Sequence, residues 1–240
     1  MVKRGKKYEQ ASKLIEPDKF YEPKEATTKL KQVAHANFDE TVDVHFKLGI
    51  DPRHADQQVR STASLPHGTG KQVRVVVFAD GDAARVAREH GAAEVGSDDL
   101  VQRIEQGFLD FDLSIAMADQ MGKVGKLGRI LGRRGLMPNP RSGTVVRAVE
   151  DLPRVLDEVR GGRVEFRNDR TGLLHVAIGK KSFTDEQIYD NMNALIDAVN
   201  RAKPTGAKGV YIQSITLTTT MGPALPIDVA AALAPFGARR

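Results

Sequence analysis

The run Val73-Arg74-Val75-Val76-Val77-Phe78-Ala79 decides the fold. It is of strand length and apolar almost throughout, with none of the alternation that marks a strand with one wet face, so it predicts a strand covered on both sides. The residues after it keep a regular rhythm. Gly81 to His90 has helical spacing, Ala92 to Val95 is a short apolar stretch, a capped helical stretch starts at Ser97, Phe111 to Met117 is a second apolar run, and Leu152 to Val159 suits a closing helix. Alternating strands and helices predict a small parallel sheet with helices on both faces, a Rossmann-like α/β module.

Two glycine-bearing stretches bracket this module, Leu65-Pro66-His67-Gly68-Thr69-Gly70-Lys71 and Arg160-Gly161-Gly162-Arg163, and both read as hinges. Outside them the pattern is antiparallel. Thr41 to Leu48 alternates strictly, with Val42, Val44, Phe46 and Leu48 on one face and Thr41, Asp43, His45 and Lys47 on the other. Gln58 to Leu65 is a weaker strand candidate. Arg163 to Phe166 and Leu174 to Ile178 flank the turn Asn168-Asp169-Arg170-Thr171-Gly172, which predicts a longer-loop hairpin. A helix capped by Thr184 or Asp185 buries Ile188, Met192, Leu195, Ile196 and Val199 and stops at Lys203-Pro204, and Gly209 to Thr220 is the last strand. Neither end holds enough elements for a domain of its own. The expected fold is therefore α+β and α/β in two domains: residues 1–67 with 161–240 as a discontinuous α+β sandwich, and residues 68–160 as an insertion. The tail after Pro226 reads as a loose helix or as disorder.

Charge separates one segment from its surroundings. Met121 to Arg147 holds Lys123, Lys126, Arg129, Arg133, Arg134, Arg141 and Arg147, six glycines, two prolines and no acid, whereas Lys71 to Gln120 holds five basic and ten acidic residues. The glycines and prolines are expected to keep much of the segment from being a plain helix, and a cationic, glycine-punctuated stretch suits contact with a polyanion. Because the net charge is only +5, any nucleic-acid role depends on how charge is distributed. The absence of Cys excludes disulfides, Cys-ligated zinc and thiol catalysis. The start MVKRGKKYEQ has a basic head without an apolar stretch behind it, so neither signal peptide nor anchor is expected, and a cytosolic location is. With no Trp and few other aromatics, base stacking supplies little of any RNA affinity, and hydroxyl, backbone and phosphate contacts must supply the rest.

Ser214, Thr216, Thr218 and Thr220 share the outer face of the last strand, and Met221-Gly222-Pro223 follows with an adaptable apolar side chain and a glycine that permits close backbone approach. A solvated threonine-rich face is the competing reading. His45, Lys47, Arg167, Arg170 and His175 fall on neighbouring polar faces or their turn, and together suggest a sheet surface of hydrogen-bond donors. His67-Gly68-Thr69-Gly70-Lys71 resembles half a phosphate loop but precedes a strand and lacks the Ser/Thr after the lysine. The first strand-to-helix turn, Ala79-Asp80-Gly81-Asp82, is acidic and would repel phosphates, which argues against a nucleotide-dependent enzyme. No histidine pair has metal spacing, and no catalytic constellation emerges.

Several long motifs resemble one family in their order along the chain: Phe38-Asp39-Glu40-Thr41, Lys47-Leu48-Gly49-Ile50-Asp51-Pro52, Leu65-Pro66-His67-Gly68, Gly125 to Gly132, Arg134-Gly135-Leu136-Met137-Pro138-Asn139-Pro140, Glu165-Phe166-Arg167-Asn168-Asp169, and Thr218-Thr219-Thr220-Met221-Gly222-Pro223. This is the bacterial "L-one" family, the large-subunit ribosomal protein of the mobile stalk beside the exit site, and the similarity covers nearly all of residues 1–223. The resemblance implies a two-domain fold with an inserted second domain. It also implies a non-enzymatic, cofactor-free protein, a monomer outside the ribosome, that binds large-subunit (23S) ribosomal RNA at the stalk. It further implies a role in releasing exit-site tRNA, and repression of its own operon through a leader mRNA. Carried over, the main RNA surface comprises Phe38, Thr41, Lys47, Asp169, Arg170, Thr171, Gly172, His175, Ser214, Thr218, Thr220, Met221 and Gly222, with Arg167 beside them. A secondary contact would use Lys123, Lys126, Arg129, Arg133, Arg134 and Arg141. The chain departs from the family at Asn37, where Lys is usual, at Arg133, where Pro is usual, and at Arg141, where Lys is usual.

Overall fold

The computed structural model describes residues 5–237; the basic head at 1–4 and the end of the tail at 238–240 lie outside the described residues. In chain order the elements are α1 (Lys6–Ser12), α2 (Pro23–Val33), β1 (Thr41–Leu48), β2 (Arg60–Ser64), β3 (Val75–Phe78), α3 (Gly81–Glu89), β4 (Glu94–Gly96), α4 (Asp98–Glu105), β5 (Leu113–Met117), α5 (Met121–Val124), α6 (Gly128–Arg134), β6 (Val145–Val146), α7 (Leu152–Arg160), β7 (Arg163–Arg167), β8 (Leu173–Lys180), α8 (Asp185–Arg201), β9 (Ile212–Thr219), β10 (Leu225–Ile227) and α9 (Val229–Leu233). They form two compact units, residues 1–70 with 162–240, and residues 71–161.

In the first unit the chain ends build an antiparallel sheet of order β10-β9-β1-β8. Strand β1 lies in its interior, opposite β8 on one side and β9 on the other. The alternation of β1 appears directly in its burial: Val42, Val44, Phe46 and Leu48 are buried, and the residues between them are partly open. These four share one core with Leu30 and Val33 of α2 and Ile188, Met192, Leu195, Ile196 and Val199 of α8. Thr184 caps α8 through a full capping box with Gln187, which satisfies two backbone N–H groups at the helix start.

Residues 163–178 do not form the expected hairpin. Strand β7 pairs with β2 in a separate two-stranded ladder, while β8 joins the four-stranded sheet, so the chain changes sheets at Asn168–Gly172. Turn chemistry is the same for a hairpin and for a strand that swaps partners, and only the distant β2 decides between them. The tail is also ordered through Gly237. Strand β10 extends the sheet, Ile227 bridges Tyr21, Asp228 caps α9, and Leu225, Ile227 and Ala232 are buried.

In the second unit β4-β3-β5-β6 are all parallel. Val75 and Val77 face a core with α3 and α7, and Val76 and Phe78 face another with α4 and Leu127 and Leu131 of the glycine-rich segment. That segment is more helical than expected. After α5, a 3-10 turn over Gly125–Leu127 leads into α6, which ends at Gly135 in left-handed backbone. Each helical glycine costs about 1 kcal/mol relative to alanine. The buried side chains Val124, Leu127 and Leu131 recur on one face and offset that cost. Ser97 does not cap α4. Its hydroxyl bonds Gln120 at 2.8 Å and receives Lys123 at 2.8 Å, while Asp99 accepts the Ser97 amide at 3.0 Å.

Candidate nucleic-acid interface

The polar face of the four-stranded sheet is assembled from β1, β8 and β9. Cross-strand register sets His45 opposite His175 and Thr216, Asp43 opposite Thr218, and Lys47 opposite Ser214. The side chains interlock. His45 Nδ1 lies 2.8 Å from His175 Nδ1 and His45 Nε2 lies 2.9 Å from the Thr218 hydroxyl. Burial, then the neighbouring His175, pushes the His45 pKa down. Burial likewise pushes the Asp43 carboxyl up, against the attraction of His45, Lys180 and His175. Lys180, which sequence reading passed over, donates to the Thr41 hydroxyl at 2.8 Å.

The turn Asp169–Gly172 closes one end of this face. The Asp169 carboxylate accepts from the amides of Thr171 and Leu173 and from the Thr171 hydroxyl, all at 2.8 Å, and the Leu173 amide leads in holding it below the usual carboxylate range. Asp169 therefore shapes the turn. Lys47 donates to the Thr171 carbonyl at 2.6 Å, and Gly172, in left-handed backbone with φ 75°, accepts from the Leu48 amide at 2.9 Å. Arg170 stands in water.

At the other end, Thr220 is tied to Thr41 by three bonds: Thr41 N–H to the Thr220 hydroxyl at 3.0 Å, Thr220 N–H to the Thr41 carbonyl at 3.1 Å and the Thr220 hydroxyl to that carbonyl at 3.4 Å. Phe38 and Met221 beside them are each 53% exposed, large apolar surfaces held in water next to hydroxyls and amides. Glu40 lies beneath with no exposed surface. Its carboxylate accepts the Ala36 amide at 2.8 Å and the Met221 amide at 3.0 Å. Burial raises its pKa, but the Met221 amide, the Thr219 hydroxyl, the Ala36 amide and the Lys181 charge outweigh burial and leave it lowered. Buried Thr219 also receives the Gly222 amide at 3.2 Å, and a Cβ on Gly222 would overlap the Thr219 hydroxyl. Alternation carries a signal for both hidden groups, since Glu40 continues the Val42-Val44-Phe46-Leu48 face and Thr219 the Ile215-Leu217 face.

Two expected site residues stand apart. Arg167 lies opposite Arg60 on the two-stranded ladder rather than on the four-stranded sheet, because β7 pairs with β2. Lys123 is held by Asp98 at 2.8 Å, so its charge is already answered within the protein. By contrast Lys126, Arg129, Arg133, Arg134 and Arg141 are exposed and make no ion pair among the described residues. The glycines between and before them leave the backbone uncovered by other elements, since a Cβ at Gly122, Gly125, Gly128 or Gly132 would meet nothing within 4 Å.

The loop at His67 has other work. Asn191, fully buried, accepts the His67 amide at 3.0 Å and donates to the carbonyls of Gly68 at 2.8 Å and Ile178 at 2.7 Å, leaving no phosphate cradle there. The cleft at the strand ends of the parallel sheet is lined by Asp80, Asp82, Asp119 and Arg147, a predominantly acidic wall. Among the described residues no helix is long and apolar enough to cross a membrane.

Comparison with known proteins agrees with this arrangement. The model of the ribosomal protein L1p/L10e family matches residues 30–223. The chain is 63% identical over 230 residues to the large ribosomal subunit protein uL1 of Thermomicrobium roseum, covering 96% of this chain and 95% of that protein. It is 58% identical to the uL1 of Chloroflexus aggregans, covering 96% and 98%, and 53% identical to that of Thermobifida fusca, covering 95% of each. On this match and these identities, the chain belongs to the ribosomal protein L1p/L10e family.

Proposed function

We propose that this structural, non-enzymatic ribosomal protein binds the stalk of large-subunit RNA through the β1-β8-β9 face. The observation that carries the reading is the pair of exposed side chains Phe38 and Met221 flanking the Thr41–Thr220 bonds, with the donors of Lys47, Arg170 and His175 on the same sheet or its turn. Apolar contact with base or sugar edges beside hydroxyls and cationic donors suits RNA better than a protein partner, and it works without stacked aromatics. The domain so assigned is residues 1–67 with 161–240. The inserted domain, residues 68–160, adds a second, electrostatic contact through Lys126, Arg129, Arg133, Arg134 and Arg141, whose unpaired charges are available to phosphates. Lys123 belongs to this contact only indirectly, through the helix it anchors to Asp98.

On this reading the protein works within the large subunit that its relatives are named for, where it helps release deacylated tRNA from the exit site. The same face takes a leader mRNA of its own operon that presents the stalk's loop geometry, and so represses translation. The test is a footprint of purified protein on large-subunit RNA, with the operon leader as a competing RNA. Protection confined to the stalk, relieved by the leader, is expected; protection elsewhere or none overturns the assignment.

A further inference from the structure

We propose that Glu40 is a positioning residue for RNA recognition: its buried carboxylate presets two loops, one carrying Phe38 and one carrying Met221, before RNA arrives. The proposal rests on the RNA-binding reading above and assigns Glu40 no contact with RNA, because the side chain has no exposed surface. The two loops are far apart in sequence, and the residue that each offers to Glu40, Ala36 in one and Met221 in the other, lies outside the strand ladders. One carboxylate oxygen takes the Ala36 amide, two residues before Phe38, and the other takes the Met221 amide itself. The Thr219 hydroxyl, bonded to Glu40, holds the Gly222 amide in turn.

A buried charge of this kind is retained only where its partners are good. Four groups converge on it: two backbone amides, a hydroxyl, and Lys181, which is itself fixed to the Ala34 carbonyl at 3.0 Å. Preset loops spare the complex the cost of ordering them on binding. A glutamine at this site has one acceptor oxygen and an NH₂ group, so one of the two amides would face a donor and its loop would come loose.

The test compares wild type with Glu40→Gln on a synthetic RNA fragment covering the stalk, titrated at several salt concentrations, with amide hydrogen exchange measured on the free proteins. The variant is expected to bind at least tenfold more weakly with the same slope of log affinity against log salt, since no phosphate contact is lost. Exchange should rise at Ala36 or Met221 while the β1 amide of Val44 stays protected. Thr219→Val, which removes one hydroxyl and keeps the volume, should give a smaller loss of the same kind and supplies the test if Glu40→Gln does not fold. Faster exchange at these loops with unchanged affinity, or a reduced salt slope, overturns the positioning role. Failure of wild type to bind the fragment in the same titration would instead overturn the RNA reading on which it rests.

Discussion

His45 and His175 meet across the β1–β8 ladder with their Nδ1 atoms 2.8 Å apart. At that distance one Nδ1 carries the hydrogen that the other accepts, the tautomer deciding which ring donates. The charge of His45, on the face proposed for RNA, thus depends on this neighbour as well as on its own burial.

The pair makes the sheet sensitive to acid. Burial and then His175 depress the His45 pKa, with Asp43 opposing them. The unfolded chain therefore takes up a proton first as pH falls, and the stabilisation present above the ordinary value of 6.5 is lost below it. Replacing His175 with Gln should move the His45 titration upward, part of the way to the ordinary imidazole value, because burial persists. Histidine Cε1–H shifts followed by NMR between pH 8 and pH 4 check this; an unmoved His45 means that the rings are not coupled.

Gly222→Val should weaken stalk-RNA binding at least tenfold, about 1.4 kcal/mol. The added Cβ overlaps the Thr219 hydroxyl and displaces the turn that carries Met221. Filter binding beside a circular dichroism spectrum reads it: a native spectrum with undiminished affinity counts against Thr220–Gly222 as part of the site.

Lys123 and Arg129 should behave differently although both are basic. Arg129→Gln should reduce the salt slope by about one unit, as expected for one lost phosphate contact. Lys123→Gln should leave the slope unchanged, because that charge is already paired with Asp98. Neutralising Arg129, Arg133 and Arg134 together should weaken stalk-RNA binding more than leader-mRNA binding, measured side by side at one salt concentration. Equal losses on both RNAs would show that the inserted domain does not discriminate between them.

Asn191→Leu should destabilise the first unit by about 3 kcal/mol, since the His67 amide and the Gly68 and Ile178 carbonyls lose a buried partner. A urea melt reads the change in midpoint. A shift below about 1 kcal/mol would mean that water replaces the amide.

Replacing residues 71–160 by a short Gly/Ser linker should leave a folded first unit that still binds stalk RNA with a flatter salt dependence. The ends are suited to rejoining, with the Leu65 amide 3.1 Å from the Gly162 carbonyl. A folded product that no longer binds at low salt would move the primary site into residues 71–160.

Local patterns carried much of this fold. Thr41 to Leu48 announced its buried face by alternation, and Val73 to Ala79 announced a doubly covered strand by its lack of it. What escaped depended on partners far along the chain. Arg163 to Arg167 looks like half of a hairpin until β2 claims it, and Arg167 goes with that ladder rather than with the four-stranded sheet. Lys123 looks like its basic neighbours until Asp98, on the preceding helix, answers it. Glu40 and Thr219 lay within reach of the alternation argument, yet polar residues on a buried face register as strand ends unless their partners are known.

The interior position of β1 governs the order in which the molecule can form during synthesis. Residues 41–48 leave the ribosome early, yet their ladder partners are residues 173–180 and 212–219. Both edges of β1 wait while residues 71–161, whose contacts lie within one continuous stretch, can close into a finished unit. The β1-β8-β9 surface exists only once the chain is nearly complete, so on the reading proposed above a nascent or prematurely ended polypeptide lacks the face for RNA and could not silence its own message.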